Sequence, residues 1–239
     1  MQTIIFESPR EAAAHAADTL ASILAAKPDA LLCIAAGHSS LPFFDAALEK
    51  GLDFSEVRFV ELDEWLGISP DTPGSCTLFM QNNFFSRIGV REDQLCLFNP
   101  LTENPEEECR RVERQIDLWD GIDYLLLGMG MNGHLALNEP GAGFTAGARA
   151  VTLSQTTLEV APKYFPAGMP PITGGITLGI ANILTARRIQ LLVFGTHKQE
   201  IVRRLRTATG PDPELPATAL LNADHAELLS DKTTAGQIT

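Results

Sequence analysis

Short apolar runs alternate with segments of helical period along almost the whole chain, and this alternation limits the fold more than any other feature. Thr3–Phe6, Ala30–Ala35, Val57–Leu62, Leu95–Phe98, Tyr124–Leu127, Ile189–Phe194 and Ala226–Ser230 read as strands, with a weaker extended run at Ala148–Leu153. Between them, Pro9–Ala26 opens on Pro-Arg-Glu and stops at Lys27-Pro28, as a helix should. Leu41–Glu49, Ser75–Ser86 with the serine as cap, Glu106–Trp119, Thr177–Ala186 and Thr196–Arg206 also read as helices. Strands joined by helices must run parallel, so the expected fold is α/β: a Rossmann-like, doubly wound, mostly parallel sheet with helices on both faces.

The 239 residues are 45% hydrophobic and 20% charged, which supplies enough apolar side chains to cover a sheet on both faces. No shift in composition marks an internal boundary, so one domain over residues 1–239 is expected. A less periodic stretch at about 141–175, rich in Gly, Pro, Thr and Ser, reads as a lid. The net charge of -12 argues against nucleic acid and against an anionic membrane surface as partners. A small anion remains compatible, because salt screens exposed charge beyond roughly 8 Å and a few local donors can dominate a pocket. The sequence leaves a homo-oligomer open. Cys33, Cys76, Cys96 and Cys109 lack C-x-x-C spacing and read as buried thiols. Residues 1–7 lack the features of a signal peptide, and no apolar run approaches the roughly 18 to 20 residues of a membrane span, so cytoplasmic residence is expected.

In open parallel sheets, ligands bind outside the carboxyl ends of the strands. The segment Gly128-Met-Gly-Met-Asn-Gly-His-Leu-Ala-Leu-Asn-Glu-Pro-Gly141 leaves one such strand and packs His134 and Glu139 into a turn punctuated by glycines. Their spacing lets the loop fold the carboxylate beside the imidazole. A histidine with its ordinary pKa of about 6.5 can both accept and donate a proton; a purely structural histidine is the plainer alternative. Asp63 and Glu64 end another strand, and only one of them should enter a given pocket, since neighbouring side chains face opposite ways. Asp63 is the candidate: beside Trp65 a partly desolvated carboxylate would move toward the range of a general base. A helix cap or surface pair is its alternative. The turn Ala36-Gly37-His38-Ser39-Ser40 offers N–H groups at a helix start, which suits a phosphate. Gly195-Thr-His-Lys198 adds a positive charge that could pair with the same anion. A plain βα turn and a solvated lysine compete with these readings. The histidines lack ligand spacing and no G-x-S-x-G turn is present, so neither a metal nor a serine nucleophile is expected.

Taken in order over nearly the whole chain, Asp63-Glu-Trp65, the long motif ending at Pro140 and Gly195-Thr-His-Lys198 resemble the glucosamine-6-phosphate deaminase and 6-phosphogluconolactonase superfamily. The Asn-Glu-Pro ending is similar to the deaminase branch, whereas lactonases continue from Gly-His to Leu-Phe-Pro. Leu62-Asp-Glu-Trp65, Asn132 and Gly174-Gly-Ile-Thr-Leu-Gly179 are most similar to galactosamine-6-phosphate isomerases. The resemblance implies opening, aldose–ketose isomerisation and deamination of a 2-amino-sugar 6-phosphate without a cofactor. It implies that Asp63 moves the C2 proton to C1, and that His134, with Glu139 and Asn132, opens the ring. The phosphate would rest on Gly37, His38 and Ser39, with Lys198 and Lys163 as cations, Lys163 standing where deaminases carry a lid arginine. Asn132 replaces the aspartate of glucosamine enzymes, so the imidazole loses a charged partner that Glu139 would have to supply. Ala36 and Ser40 replace a threonine and a proline of the family's phosphate turn, with the serines as substitutes. Val151 stands in place of an allosteric lysine, so that regulation is not expected. The alternatives are a glucosamine-6-phosphate deaminase, a 6-phosphogluconolactonase, and a sugar-phosphate sensor without catalysis.

Overall fold

A computed structural model describes residues 1–160, 165, 172 and 174–236. The chain begins β1 (Gln2–Phe6), α1 (Pro9–Ala26), β2 (Leu31–Ile34), α2 (Leu41–Glu49), β3 (Arg58–Val60), β4 (Asp63–Trp65) and α3 (Cys76–Met80). A π-helical turn, Gln81–Phe85, joins α3 to α4 (Ser86–Ile88), and β5 (Leu95–Cys96), α5 (Pro105–Leu118) and β6 (Tyr124–Leu127) follow. The last part holds β7 (Arg149–Thr152), α6 (Gln155–Val160), β8 (Gly174–Thr177), α7 (Ile180–Leu184), β9 (Ile189–Val193), α8 (Gln199–Thr207), β10 (Ala226–Asp231) and α9 (Lys232–Ala235).

Seven strands form one sheet in the order β1-β10-β9-β6-β2-β3-β5, and every neighbouring pair is parallel. The apolar runs have no polar alternation because both faces are covered. Leu32 and Ile34 of β2 pack with Tyr124 and Leu126 of β6 against alanines of α1 and Phe43 and Phe44 of α2. Leu31, Cys33, Leu125 and Leu127 face the other way, toward Val112 of α5, Ile183 of α7 and Val202 of α8. Each such side chain removed from water contributes about 1.5 to 3 kcal/mol, so a polar residue at any of these positions would be costly. Helix α1 starts where Ser8 Oγ accepts the Glu11 N–H at 3.3 Å and Pro9 takes the first helical position. Its buried face is mostly alanine, which lets the helix lie close to the sheet. Among the described residues no helix is long and apolar enough to cross a membrane.

The structure departs from the sequence reading around β4 and at Gly174–Thr177. Val57–Leu62 is not one strand running up to Asp63: β3 stops at Val60, and Asp63–Trp65 begins a second sheet, antiparallel, in the order β4-β8-β7. The helix expected from Thr177 starts only at Ile180, because Gly174–Thr177 is drawn into this sheet between β4 and β7. The two glycines allow close approach there: a Cβ on Gly175 would lie 2.2 Å from Leu137 Cδ1. Within the 141–175 stretch, Arg149–Thr152 is strand β7, Gln155–Val160 is helix α6, and β8 starts at Gly174. Trp65, Ile68, Leu137 and Leu153 form a small core here, joined by Phe165 and Ile172.

Candidate functional site

The sheet order places the site before any side chain is considered. From β2 the chain moves outward through β3 to β5, then returns to β6 on the opposite side of β2. Such a reversal is where open parallel sheets bind their ligands. The loops after β9, β6, β2 and β3, four adjacent strands, carry Lys198, His134, the Gly37–Ser40 turn and Asp63 respectively.

Asp63 and Glu64 diverge as strand geometry requires. Glu64 is fully buried, and its carboxylate accepts the N–H groups of Trp65 at 2.8 Å, Cys76 at 3.0 Å and Thr77 at 2.9 Å, fixing the start of α3. Asp63 is half-buried against a narrow, mainly apolar crevice whose lining includes Ile34, Ala36, Glu61, Cys76 and Met80. Among the described residues the donor to its carboxylate is the Cys76 thiol, Sγ to Oδ1 3.8 Å. Burial, reinforced by the charge of Glu64, pushes the Asp63 carboxyl up to about 7, against a small opposing pull from the thiol. Glu61, also buried, is raised by burial and by Glu64, although it accepts the Thr77 hydroxyl at 2.8 Å and the Phe98 N–H at 2.8 Å. The expectation that all four cysteines are buried is corrected at one position. Cys33, Cys96 and Cys109 are buried, whereas Cys76 is half-buried, because it opens a helix at the crevice wall.

The loop after β6 folds His134 back over its own backbone. Gly130 N–H donates to the His134 carbonyl at 3.0 Å, and Gly133 N–H to the Gly130 carbonyl at 3.0 Å. A Cβ on Gly130 would lie 2.2 Å from the imidazole Cε1, so the ring takes the space that glycine leaves. Gly133 sits at φ +86, in the left-handed region. His134 Nδ1 faces Glu139 Oε2 at 3.4 Å, in ion-pair range but not aligned for a hydrogen bond with any described residue. Glu139 accepts from Asn132 Nδ2 at 2.8 Å, from the Ser154 N–H at 3.3 Å and from the Thr157 hydroxyl. Burial alone would raise the Glu139 carboxyl, but His134, Thr157 and Asn132 together hold it down at about 2. Asn132 therefore works through the carboxylate and the backbone: Oδ1 accepts the His134 N–H at 3.2 Å while Nδ2 is bound to Glu139.

This loop is tied directly to the strand that carries Asp63. Thr177 pairs with Asp63 across β4 and β8, and its Oγ1 accepts the Leu137 N–H at 3.3 Å. Fully buried Asn138 donates to the carbonyls of Leu135 and Leu178, both at 2.9 Å, and accepts from Arg149 at 2.7 Å. Leu178 in turn donates to the Leu62 carbonyl at 2.8 Å.

At the β2 end, His38–Ser40 form a 3-10 turn leading into α2, and the Ser40 N–H closes on the Gly37 carbonyl at 2.9 Å. Ser40 does not supply a hydroxyl to replace the missing threonine: it is buried, and Oγ donates to the Ala35 carbonyl at 2.7 Å. Ser39 is half-buried, and the exposed His38 meets the Phe79 ring edge-on at 6.1 Å. After β9, the left-handed φ of +106 at Gly195 starts the Thr196–Lys198 turn. Lys198 Nζ donates to the Met129 carbonyl, next to Gly130, and burial lowers its pKa. Lys163 lies outside the described residues. Val151 pairs with Gly175 and packs on the small core. Among the described residues no three or more His, Cys, Asp or Glu side chains are grouped so that they could hold a metal ion.

The sequence reading missed Cys76, Asn138, Ser154, Thr157 and Thr177. Asn138 lies inside the quoted motif and can be found from it; the others meet the site through strand register, the start of α3 and the turn into α6, which no local pattern marks as part of a site. Together the residues offer a carboxyl tuned near neutrality, an imidazole held against an anion, and an ammonium beside a helix start. This is equipment for moving protons on a small anionic molecule.

Known proteins share this sequence pattern and fold. The family described as glucosamine-6-phosphate isomerases/6-phosphogluconolactonase matches residues 7–230. A glucosamine-6-phosphate deaminase of Geobacillus sp. strain WCH70 is 34% identical over 236 residues, 97% of this chain and 94% of that protein. The solved structure of a monomeric glucosamine-6-phosphate deaminase superposes with a TM-score of 0.93 at 32% identity, covering 98% of this chain and 99% of the other. A 6-phosphogluconolactonase from Trypanosoma cruzi shares the fold, with a TM-score of 0.78 at 18% identity over 100% of this chain and 97% of that one. A match this long, on a parallel sheet of the same architecture, means that the chain belongs to the glucosamine-6-phosphate isomerase/6-phosphogluconolactonase family.

Proposed function

We propose that this protein is an enzyme that isomerises and deaminates a 2-amino-2-deoxyhexose 6-phosphate, with galactosamine-6-phosphate giving tagatose-6-phosphate and ammonia. The observation that carries the reading is the raised pKa of Asp63, about 7, on a carboxyl that faces the crevice from the strand tied to the His134 loop. A base that takes a proton from carbon must be basic near the working pH and shielded from bulk water. His134, backed by ionised Glu139, moves the proton that opens the sugar ring. Asp63 then takes the C2 proton of the open 2-amino aldehyde and returns it to C1 through an enolamine, while an ammonium proton passes to O1, leaving a hydroxymethyl C1 and a C2 iminium. Water adds at C2, the C–N bond breaks, and ammonia leaves with the ketose 6-phosphate as the other product. Gly37, His38 and Ser39 hold the phosphate at the start of α2, with Lys198 and Lys163 as cations. No cofactor enters this sequence.

Leu62-Asp-Glu-Trp65, Asn132 and Gly174–Gly179 favour the galacto sugar. The second reading is the gluco sugar, with fructose-6-phosphate as product, and the relatives that carry the glucosamine name favour it. Ammonia release from both amino sugars in parallel, with the ketose identified in each case, decides between them. A preference for galactosamine-6-phosphate supports the first reading and a preference for glucosamine-6-phosphate the second. Release from neither, together with hydrolysis of 6-phosphogluconolactone, overturns both.

A further inference from the structure

Building on the role proposed for Asp63, we propose that Cys76 is a positioning residue whose thiol steers the Asp63 carboxylate through a weak S–H···O hydrogen bond. It fixes the orientation of the base without draining its basicity. The thiol lies 3.8 Å from Asp63 Oδ1 and is the donor to that carboxylate among the described residues. Its own place is fixed from several sides. Cys76 is the first residue of α3; Ser75 Oγ accepts the Leu78 N–H at 3.0 Å and donates to the Pro70 carbonyl at 2.6 Å. Glu64 accepts the N–H groups of Cys76 and Thr77 at 3.0 Å and 2.9 Å. The backbone under the thiol is therefore anchored by the same carboxylate that diverges from Asp63 along β4.

The other titratable groups facing Asp63 have different engagements. Glu64, beside it on β4, is spent on backbone N–H groups; Glu61, beyond the end of β3, is bound to Thr77 and Phe98; Cys33 lies deep in β2. Burial and these carboxylates raise the Cys76 thiol, so it stays a neutral donor. A thiol is a weak donor, whereas a hydroxyl bonds a carboxylate at shorter range and more strongly. Serine here would stabilise the ionised form of Asp63 and weaken it as a base. Alanine would leave the carboxylate with no donor from α3.

The test has two arms. The first is the pH profile of kcat/KM for ammonia release by wild type, Cys76→Ser and Cys76→Ala. Cys76→Ser should move the acidic limb down by about one pH unit, since a hydroxyl replaces a thiol on a charged acceptor. Cys76→Ala should leave the limb at or above its wild-type position and lower kcat about tenfold through lost orientation. The second arm is the infrared S–H stretch of the free protein, taken as the difference between wild type and Cys76→Ala and titrated with pH. That band should shift with one midpoint at the acidic limb, and should no longer shift in Asp63→Asn protein. A band indifferent to Asp63→Asn, with an acidic limb unmoved by either Cys76 substitution, overturns the inference while leaving Asp63 as base. A band that follows Asp63 beside a pH profile indifferent to Asp63→Asn overturns the role of the base, and the positioning role with it.

Discussion

Asp63 and Glu64 are carboxylates on adjacent positions whose surroundings give them opposite work. Glu64 is surrounded by backbone N–H donors and serves the start of α3, whereas Asp63 meets an apolar crevice and the Cys76 thiol. With the Asp63 carboxyl near 7, the proton-abstracting form is lost as the solution is acidified. The rate should therefore rise with pH through about 7 on its acidic side, as kcat/KM measured across that range will read. The same shift acts on stability. A carboxyl whose folded pKa is raised contributes most when protonated, and that contribution is lost between its ordinary value of 3.8 and about 7. Asp63→Asn, which stays neutral, should be more stable than wild type at pH 8 by on the order of 1 to 3 kcal/mol and close to it at pH 4, by chemical denaturation. Glu139 has the opposite sign. Held down at about 2 from 4.5, it stabilises the fold above pH 4.5, and this is lost as pH falls toward 2. Glu139→Gln should cost on the order of 2 to 3 kcal/mol at pH 7, with the difference from wild type shrinking in acid.

At the scale of elements, the site depends on loops that are fixed by distant partners. The β6 loop holds its histidine because Gly130 leaves room for the ring and because Asn138 and Thr177 pin the following turn to the small sheet. Gly130→Ala puts a methyl group into the imidazole, so the ring must leave its place beside Glu139. Turnover should fall at least tenfold while the thermal midpoint drops by only a few degrees, because the barrier depends on placement more than the fold does. Equal turnover in the variant would show that the folded-back ring position is not the working one. The short antiparallel sheet explains why this coupling was not legible in the sequence. β4 and β8 are three and four residues long, β8 begins with two glycines, and their partners are far apart in the chain. Gly174–Thr177 consequently read as loop and helix start, and Asp63 as the end of β3.

Across the whole molecule, the legible part is the part governed by burial. Strands such as β6 and β9 are buried at every position, and apolar apart from Gln190 and the Tyr124 hydroxyl, because helices cover both faces. Their order was not written locally, yet the rule that sites lie at strand ends was enough to single out Asp63, His134, Glu139 and Lys198. What stayed hidden was which atoms meet: that Ser40 is bound to the Ala35 carbonyl, that Asn132 bridges Glu139 and the His134 backbone, and that Cys76 touches Asp63. Those contacts are made in turns and at helix starts, which no periodic pattern marks. The proposed chemistry turns on Asp63 as the proton-transferring base. Ammonia release by Asp63→Asn, on both amino-sugar phosphates and beside a direct measurement of substrate binding, tests it most directly. Turnover should fall by at least about a hundredfold, the lower end of what general base catalysis supplies, with binding nearly unchanged. Turnover within a few-fold of wild type would contradict it.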